Sequence, residues 1–556
     1  MNNALLSGVS GLKTHQSMLD VAGNNLANVN TTAFKSSRVT FSELLSQTLR
    51  PASQPTATIG GTNPMQVGSG VQIGSVDRNM NQGSLISTGQ DLDMAIEGDG
   101  YFVLNDGAKD TYTRMGAFAV DSQYFLVDPV TGYRVQRIGS EGESEGFQQV
   151  SESTIRIPYD VAMPAKPTTS AGYTGNLSAN DSEATRSVLS SGIQYLDATS
   201  SVISADTRVD DLSGMSGLDA TSSLVITGTN KAGTAVDNNG SPILLYDSVA
   251  GDFKTMDEIC DEISALFSGS TVSIVNGEIR VEDDAAGYSQ TDIYMAWGGA
   301  GTKPALPAYF KMLSAGGNST KTTNIEIFDS QGISHIVSGS FVRTDTANQW
   351  DFVVNSITGG ADVVPAYRRV EGISFLTNGA FAGLAGGGNP QLSFAFAHDP
   401  SNPVRISLDL GTIGQFDGLS QFGGSSTVAP SSQDGYASGW LSSLSVSREG
   451  VLVGVFTNGI RADIAALKIA TFQNPAGMES TGSGYFSPSA NSGDAIVTKA
   501  LGGSAGSVRG GSLEKSNVEV ASEFVEMIQA QNGYQANART ITVANEMLRE
   551  LTNLIR

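Results

Sequence analysis

An apolar heptad at each end of the chain is the feature that most constrains the fold. Leu5, Leu12, Leu19 and Leu26 recur at every seventh position, and Val9, Ala22 and Val29 widen the same stripe. At the other end, Val520, Met527, Tyr534, Ile541, Leu548 and Ile555 occupy one heptad position without a miss, flanked by Phe524 and Ala538. Such spacing predicts an amphipathic helix at each terminus. Polar Gln531, Asn545 and Thr552 interrupt the C-terminal stripe, as in seams that give up stability for register and partner choice. Ser516 and Glu519 have the spacing of a capping box, which predicts a helix start there. A helix of some forty residues at a chain end finds too little of its own domain to bury against. The two ends are therefore expected to pair with each other and with further copies.

Between the ends the signals are strands and turns. Residues 51–76 hold no charge, three prolines and five glycines, and predict an extended connector. Asn-Gly pairs at 239–240, 276–277, 378–379 and 458–459 sit between apolar alternations and predict hairpins. One internal helix is expected from Thr255 to Phe267, with Met256, Ile259, Cys260, Ile263 and Phe267 on its inner face, so Cys260 reads as a buried small hydrophobe. Charged residues are 16% of the chain and glycines number 65, which suits short strands with neutral polar surfaces.

The net charge of −23 argues against a nucleic-acid partner. Its distribution says more. Lys13, Lys35, Arg38 and Arg50 against Asp20 and Glu43 leave residues 1–76 at +2, and residues 513–556 stand at −2, so the middle carries the full −23. Nearly neutral ends suit packing against copies, and an acidic middle suits water. A single cysteine excludes an intramolecular disulfide, and three scattered histidines make a histidine-built metal centre implausible. No apolar run is long enough to span a membrane, and the N-terminus lacks the pattern of a cleavable signal.

A search for chemistry comes back empty. Gly8-Val9-Ser10-Gly11 and Gly214-Met215-Ser216-Gly217 fall short of a nucleophile elbow, and Gly298 to Lys303 lacks the order of a phosphate loop. His398-Asp399-Pro400 reads as a surface turn, and Asp283-Asp284 as solvated loop charges. No catalytic residue, metal ligand or cofactor is expected.

Asn24 to Lys35, NNLANVNTTAFK, resembles the N-terminal signature of the axial proteins of the bacterial flagellum, with Asn24, Asn25, Asn28, Asn30, Thr31, Phe34 and Lys35 as the matching positions. The segment from Ser516 resembles their C-terminal signature, including Gln529-Ala530-Gln531 and Tyr534-Gln535-Ala536-Asn537. Asn63 to Leu104, Gln433 to Gly459 and Phe472 to Gly493 are similar to hook proteins within that family. Ile325 to Arg343 looks like the body of the hook's outer β domain, while residues 186–317 match nothing in the shorter hook proteins.

The resemblance implies a multidomain chain. Residues 1–35 with 513–556 would form a coiled-coil-like helical inner domain, joined by a connector over 36–76 to mainly-β middle and outer domains. These would span 77–160 with 430–512, 161–185 with 318–429, and an insert at 186–317. It also implies a subunit of a curved tube that transmits torque from rod to filament, exported without signal cleavage to the cell exterior. Its partners would be itself, the distal rod, the hook cap, the hook–filament junction proteins and the export apparatus. A distal-rod protein and a surface adhesin on flagellar-type ends are the rival readings.

Overall fold

The computed structural model describes residues 2–56, 58–180, 183–358, 364–396 and 398–554. Three α-helices are described: α1 (Asn2–Ala27), α2 (Met256–Leu266) and α3 (Val520–Leu554). The remainder is short strands. The chain divides into two compact units, one of residues 1–163 with 439–556 and the other of residues 164–438.

The first unit is stitched together by strands from opposite ends of the chain. Leu85–Ser87 pairs with Ser512–Glu514, and Met94–Glu97 pairs with Ser507–Gly510, both antiparallel. Tyr101–Asn105 pairs with Asp110–Thr113 and with Ile469–Thr471. Tyr101, Val103, Tyr112, Ala470, Phe472 and Phe486 close one core there. Because the two flanks of the chain share ladders, the start of α3 is held close to the end of α1.

Residues 36–76 are more ordered than a free connector. Ser37–Glu43 pairs with Val71–Arg78, and Ser46–Arg50 with Met65–Gly68, giving a two-stranded ribbon. The missed signal is the alternation on both sides of the proline-rich tip, which lets the two arms satisfy each other's backbone groups.

The second unit has two cores. A five-stranded sheet (320–384) and a six-stranded sheet that includes Ser170–Ser178 contribute Tyr173, Phe341, Trp350, Phe352, Phe394 and Ile406 to the first. The second lies within 189–315, around Ile259, Cys260 and Ile263 of α2, and takes in Val342 and Val353. Neighbours along the strands Ser334–Arg343 and Gln349–Ile357 thus point to opposite cores, as the period of two dictates. The segment 186–317 is therefore packed on the five-stranded sheet of the second unit, and contact breaks come at 163/164 and 438/439 rather than at its borders.

The internal helix follows its sequence signals. Thr255 is the N-cap and forms a capping box with Glu258. Cys260 is buried, and desolvation, aided by Asp257 and Asp261, pushes its thiol up to about 12. Of the four Asn-Gly pairs, three lie in hairpins; that at 276–277 is a two-residue turn with both residues at positive φ. Asn239-Gly240 does not, because the strands on either side of it both pair with Ser223–Thr229 instead of with each other.

The expectation for Asp283 is corrected, while His398 sits exposed in a turn as expected. Asp283 is buried, and its Oδ1 accepts hydrogen bonds from Ser270 Oγ and Thr291 Oγ1, so only Asp284 is a solvated charge. His398 Nε2 is 3.4 Å from Oδ2 of the buried Asp329, which also faces His335 Nε2 at 3.2 Å. Among the described residues no group of three or more His, Cys, Asp or Glu side chains converges as a metal site would require.

Candidate assembly site

α1 and α3 lie against each other in antiparallel register. A β-carbon built on Gly8 would sit 2.9 Å from Ile541 Cγ1, one on Gly11 2.7 Å from Asn537 Oδ1, and one on Gly533 2.5 Å from the His15 ring. Further along, Asn25 Nδ2 donates to Glu523 Oε1 at 3.0 Å. The seam is thus made of small and polar residues. Gly8, Gly11, Thr14, Ala22 and Asn25 are buried on α1, and Glu523, Ala530 and Ala544 on α3. Small side chains let the two backbones approach closely.

This shifts the expected seam by one position on α1 and by three on α3, with Ile541 alone of the α3 heptad seated on an α1 glycine. Leu5, Leu12, Leu19, Leu26 and Val29 are half-buried beside the contact line rather than on it, and Val9 is exposed. On α3, Met527, Ile541 and Leu548 are half-buried, while Val520, Phe524 and Tyr534 are exposed. Ile555 lies outside the described residues. Val525, Ile528, Val543, Met547 and Leu551 are exposed as well, so α3 presents an apolar surface that α1 does not cover. The ribbon adds Leu45, Leu49, Met65 and Val67, all exposed. It leans on α1 through Ser10, whose Oγ accepts from Val71 N, and through Phe41, which packs edge-on against His15.

The signature residues after the leucine stripe do a different job. Asn24 and Asn28 bond to each other, and Thr31 Oγ1 donates to Asn28 Oδ1, rounding off the end of α1, while Asn30 is exposed. Asn25 accepts from Ser37 N and donates to Ser37 O, clamping the first ribbon strand to the helix. Phe34 O accepts from Asn517 N. Lys35 is buried, with Nζ 2.6 Å from Glu514 Oε1 and 2.8 Å from Asn81 O. Burial pulls the Lys35 ammonium below its ordinary value, with Glu514 opposing. Arg114 reaches the same carboxylate at 3.5 Å, donates to Gly98 O and lies over the Tyr101 ring.

Glu514, Asn517, Arg114 and Glu523 are the partners that sequence reasoning missed. Asn517 also replaces the expected cap. Its side chain accepts from Ser36 N and donates to Asn79 O and Asn81 O, which holds 515–518 extended and delays α3 to Val520. Ser516 Oγ accepts from Val518 N at 3.3 Å, so Ser516 and Glu519 do not form the capping box their spacing predicts. The arrangement offers no nucleophile with a base beside it. What it provides is a rigid polar joint from which two helices project with an uncovered apolar face.

Family models match four stretches of the chain. "Flagella basal body rod protein" matches residues 5–35, "Flagellar hook protein FlgE/F/G D1 domain" 95–179, "Flagellar basal body protein FlaE D2 domain" 299–436, and "Flagellar basal body rod FlgEFG protein C-terminal" 509–554. The flagellar hook protein FlgE of Borreliella burgdorferi is 31% identical over 559 residues, covering 100% of both chains. That of Treponema pallidum is 32% identical over 562 residues, again covering 100% of both. The flagellar basal-body rod protein FlgG of Bacillus subtilis is 42% identical, but over 183 residues that make up 33% of this chain and 62% of that protein.

Proposed function

Because the chain belongs to the flagellar hook protein family, we propose that its paired terminal helices form the cohesive inner layer of a homopolymer while its acidic β regions face outward and slide. The chain is a structural subunit of the flagellar hook. The observation that carries the proposal is the uncovered face of α3, where Phe524, Val525 and Ile528 are about half exposed on a helix already paired with α1. Contiguous exposed apolar patches larger than a few hundred Å2 mark interaction sites. A rod protein is disfavoured because the rod relative accounts for only a third of this chain.

A bent, rotating tube makes each subunit alternate between a compressed and an extended neighbour spacing. Outer contacts therefore have to exchange with small free-energy differences. Neutral Ser, Thr and Gly surfaces suit this, since bridging waters exchange at low cost. The ends of the tube would meet the distal rod on one side and the cap, then the junction proteins, on the other. Export as an unfolded chain fits a protein with one buried thiol and no disulfide to form.

Replacing Phe524 and Ile528 together by Asp tests the assembly role, because both side chains are exposed in the single chain and the fold does not need them. The expected result is a folded monomer with its helical signal intact that no longer sediments as polymer. Normal tubes from that variant would overturn the proposal.

A further inference from the structure

The second unit carries a small aromatic patch that neither its own core nor the helical seam uses. Phe416 and Phe422 stack with ring centroids 5.7 Å apart, yet they remain 56% and 46% exposed. Ile413 and Leu376, both exposed, lie on the same group of loops. The platform is held rigidly. Gln421 N donates to Gly379 O and Gly414 N to Phe381 O, while Phe422 N donates to Asn176 Oδ1 at 2.7 Å. Asp417 ties down the loop by accepting from Thr412 N and Thr412 Oγ1. Gly379, at φ +85°, leaves room for the Phe422 ring, because a β-carbon there would be 2.8 Å from it.

A solitary exposed apolar side chain needs no explanation, but four gathered on hydrogen-bonded loops and the end of the strand Leu419–Phe422 do. We propose that this patch, centred on Phe416 and Phe422, docks against a neighbouring copy of the same chain in the polymer. The inference rests on the polymer of the proposed function. Its size selects the occupant. A free-standing complex buries about 800 Å2 per partner, far more than four partly exposed side chains supply. The patch can therefore hold only a partner already kept beside it by other contacts, and in a homopolymer that partner is another copy. Charge points the same way. Copies that each carry −23 repel through their acidic surfaces, so contact between them falls to patches with few charges, and Asp417 is committed to its own loop. A contact this small also comes apart readily, as sliding requires.

Two measurements on the full chain test this. Phe416→Cys, made in a Cys260→Ser background, is labelled with a maleimide as monomer and as polymer. The wild-type chain is followed by hydrogen exchange over 413–422 in both states. The expected result is labelling and exchange about tenfold or more slower in the polymer. A polymer that labels and exchanges at the monomer's rate overturns the patch and leaves the helical core standing. Protection present in intact flagella but absent from the purified homopolymer assigns the patch to a different protein and overturns the inference. A wild-type chain that never leaves the monomeric state overturns the polymer, and the patch with it.

Discussion

Ile541 of α3 rests directly on Gly8 of α1: a β-carbon at Gly8 would come within 2.9 Å of Ile541 Cγ1. The same relation recurs with Asn537 over Gly11 and, with the helices exchanging roles, His15 over Gly533. Each large side chain sits where the partner helix has none. This fixes the antiparallel register within one chain and leaves Val520, Phe524 and Tyr534 of α3 uncovered by α1.

That register makes the glycines unequal. Gly8→Leu, Gly11→Leu and Gly533→Leu should each destabilise the helix pair by about 1–3 kcal/mol, the usual cost of overpacking. Gly23 also lies in α1 but has nothing within 4 Å of a built β-carbon. Gly23→Ala should therefore stabilise by about 1 kcal/mol through helix propensity alone. Thermal unfolding followed by circular dichroism ranks the four variants; equal effects at Gly8 and Gly23 would refute the register.

The buried pair Lys35–Glu514 should behave unlike the exposed pair Arg38–Asp77. Removing one partner of a buried pair strands the other, which costs about 3–5 kcal/mol. Lys35→Ala is expected in that range. Glu514→Gln should be at least as damaging, because Lys35 and Arg114 both lose their carboxylate. Arg38 and Asp77 are 4.0 Å apart and largely solvated, so Arg38→Ala should cost less than about 1 kcal/mol. Denaturant titration of the full chain separates these outcomes.

These contrasts show what the sequence made legible. The heptads revealed that both ends are helical, but not which face each helix keeps for its own chain. Apolar periodicity marks the face with most to bury, and here much of that face stays uncovered within the chain, while Gly8, Gly11, Ala530 and Asn25 line the internal seam without any apolar signal. The Lys35 node was hidden for a different reason. Its partners Arg114 and Glu514 are distant in sequence and meet only through strand pairing. Asp283 was legible and misread: in the strand Glu278–Asp283 it shares the inward register of Ile279 and Val281.

Cys260 should be chemically silent in the folded chain. Its thiol is buried on the inner face of α2 and held at about 12, far above the range in which a thiolate forms at neutral pH. A disulfide reagent should leave it unmodified at mildly alkaline pH and react fully after unfolding. Rapid reaction of the native chain would mean that α2 opens readily or does not pack as described.

Glu523 gives the helix pair a pH dependence opposite to that of an ordinary salt-bridged carboxylate. Burial raises it above its ordinary value of 4.5, Asn25's hydrogen bond opposes the rise and Glu526's charge adds to it. Glu523 Oε2 has no hydrogen-bond partner among the described residues. The folded chain therefore takes up a proton at higher pH than the unfolded chain does. Proton uptake by the folded form alone favours folding. Stability should rise as pH falls through the folded value, and the gain should be complete below 4.5. Glu523→Gln keeps an oxygen for Asn25 and carries no charge, so it should exceed wild type at neutral pH and lose that advantage on acidification. Taking the difference between the two proteins at each pH cancels the other carboxylates; a difference that stays constant would show that Glu523 is not the titrating group.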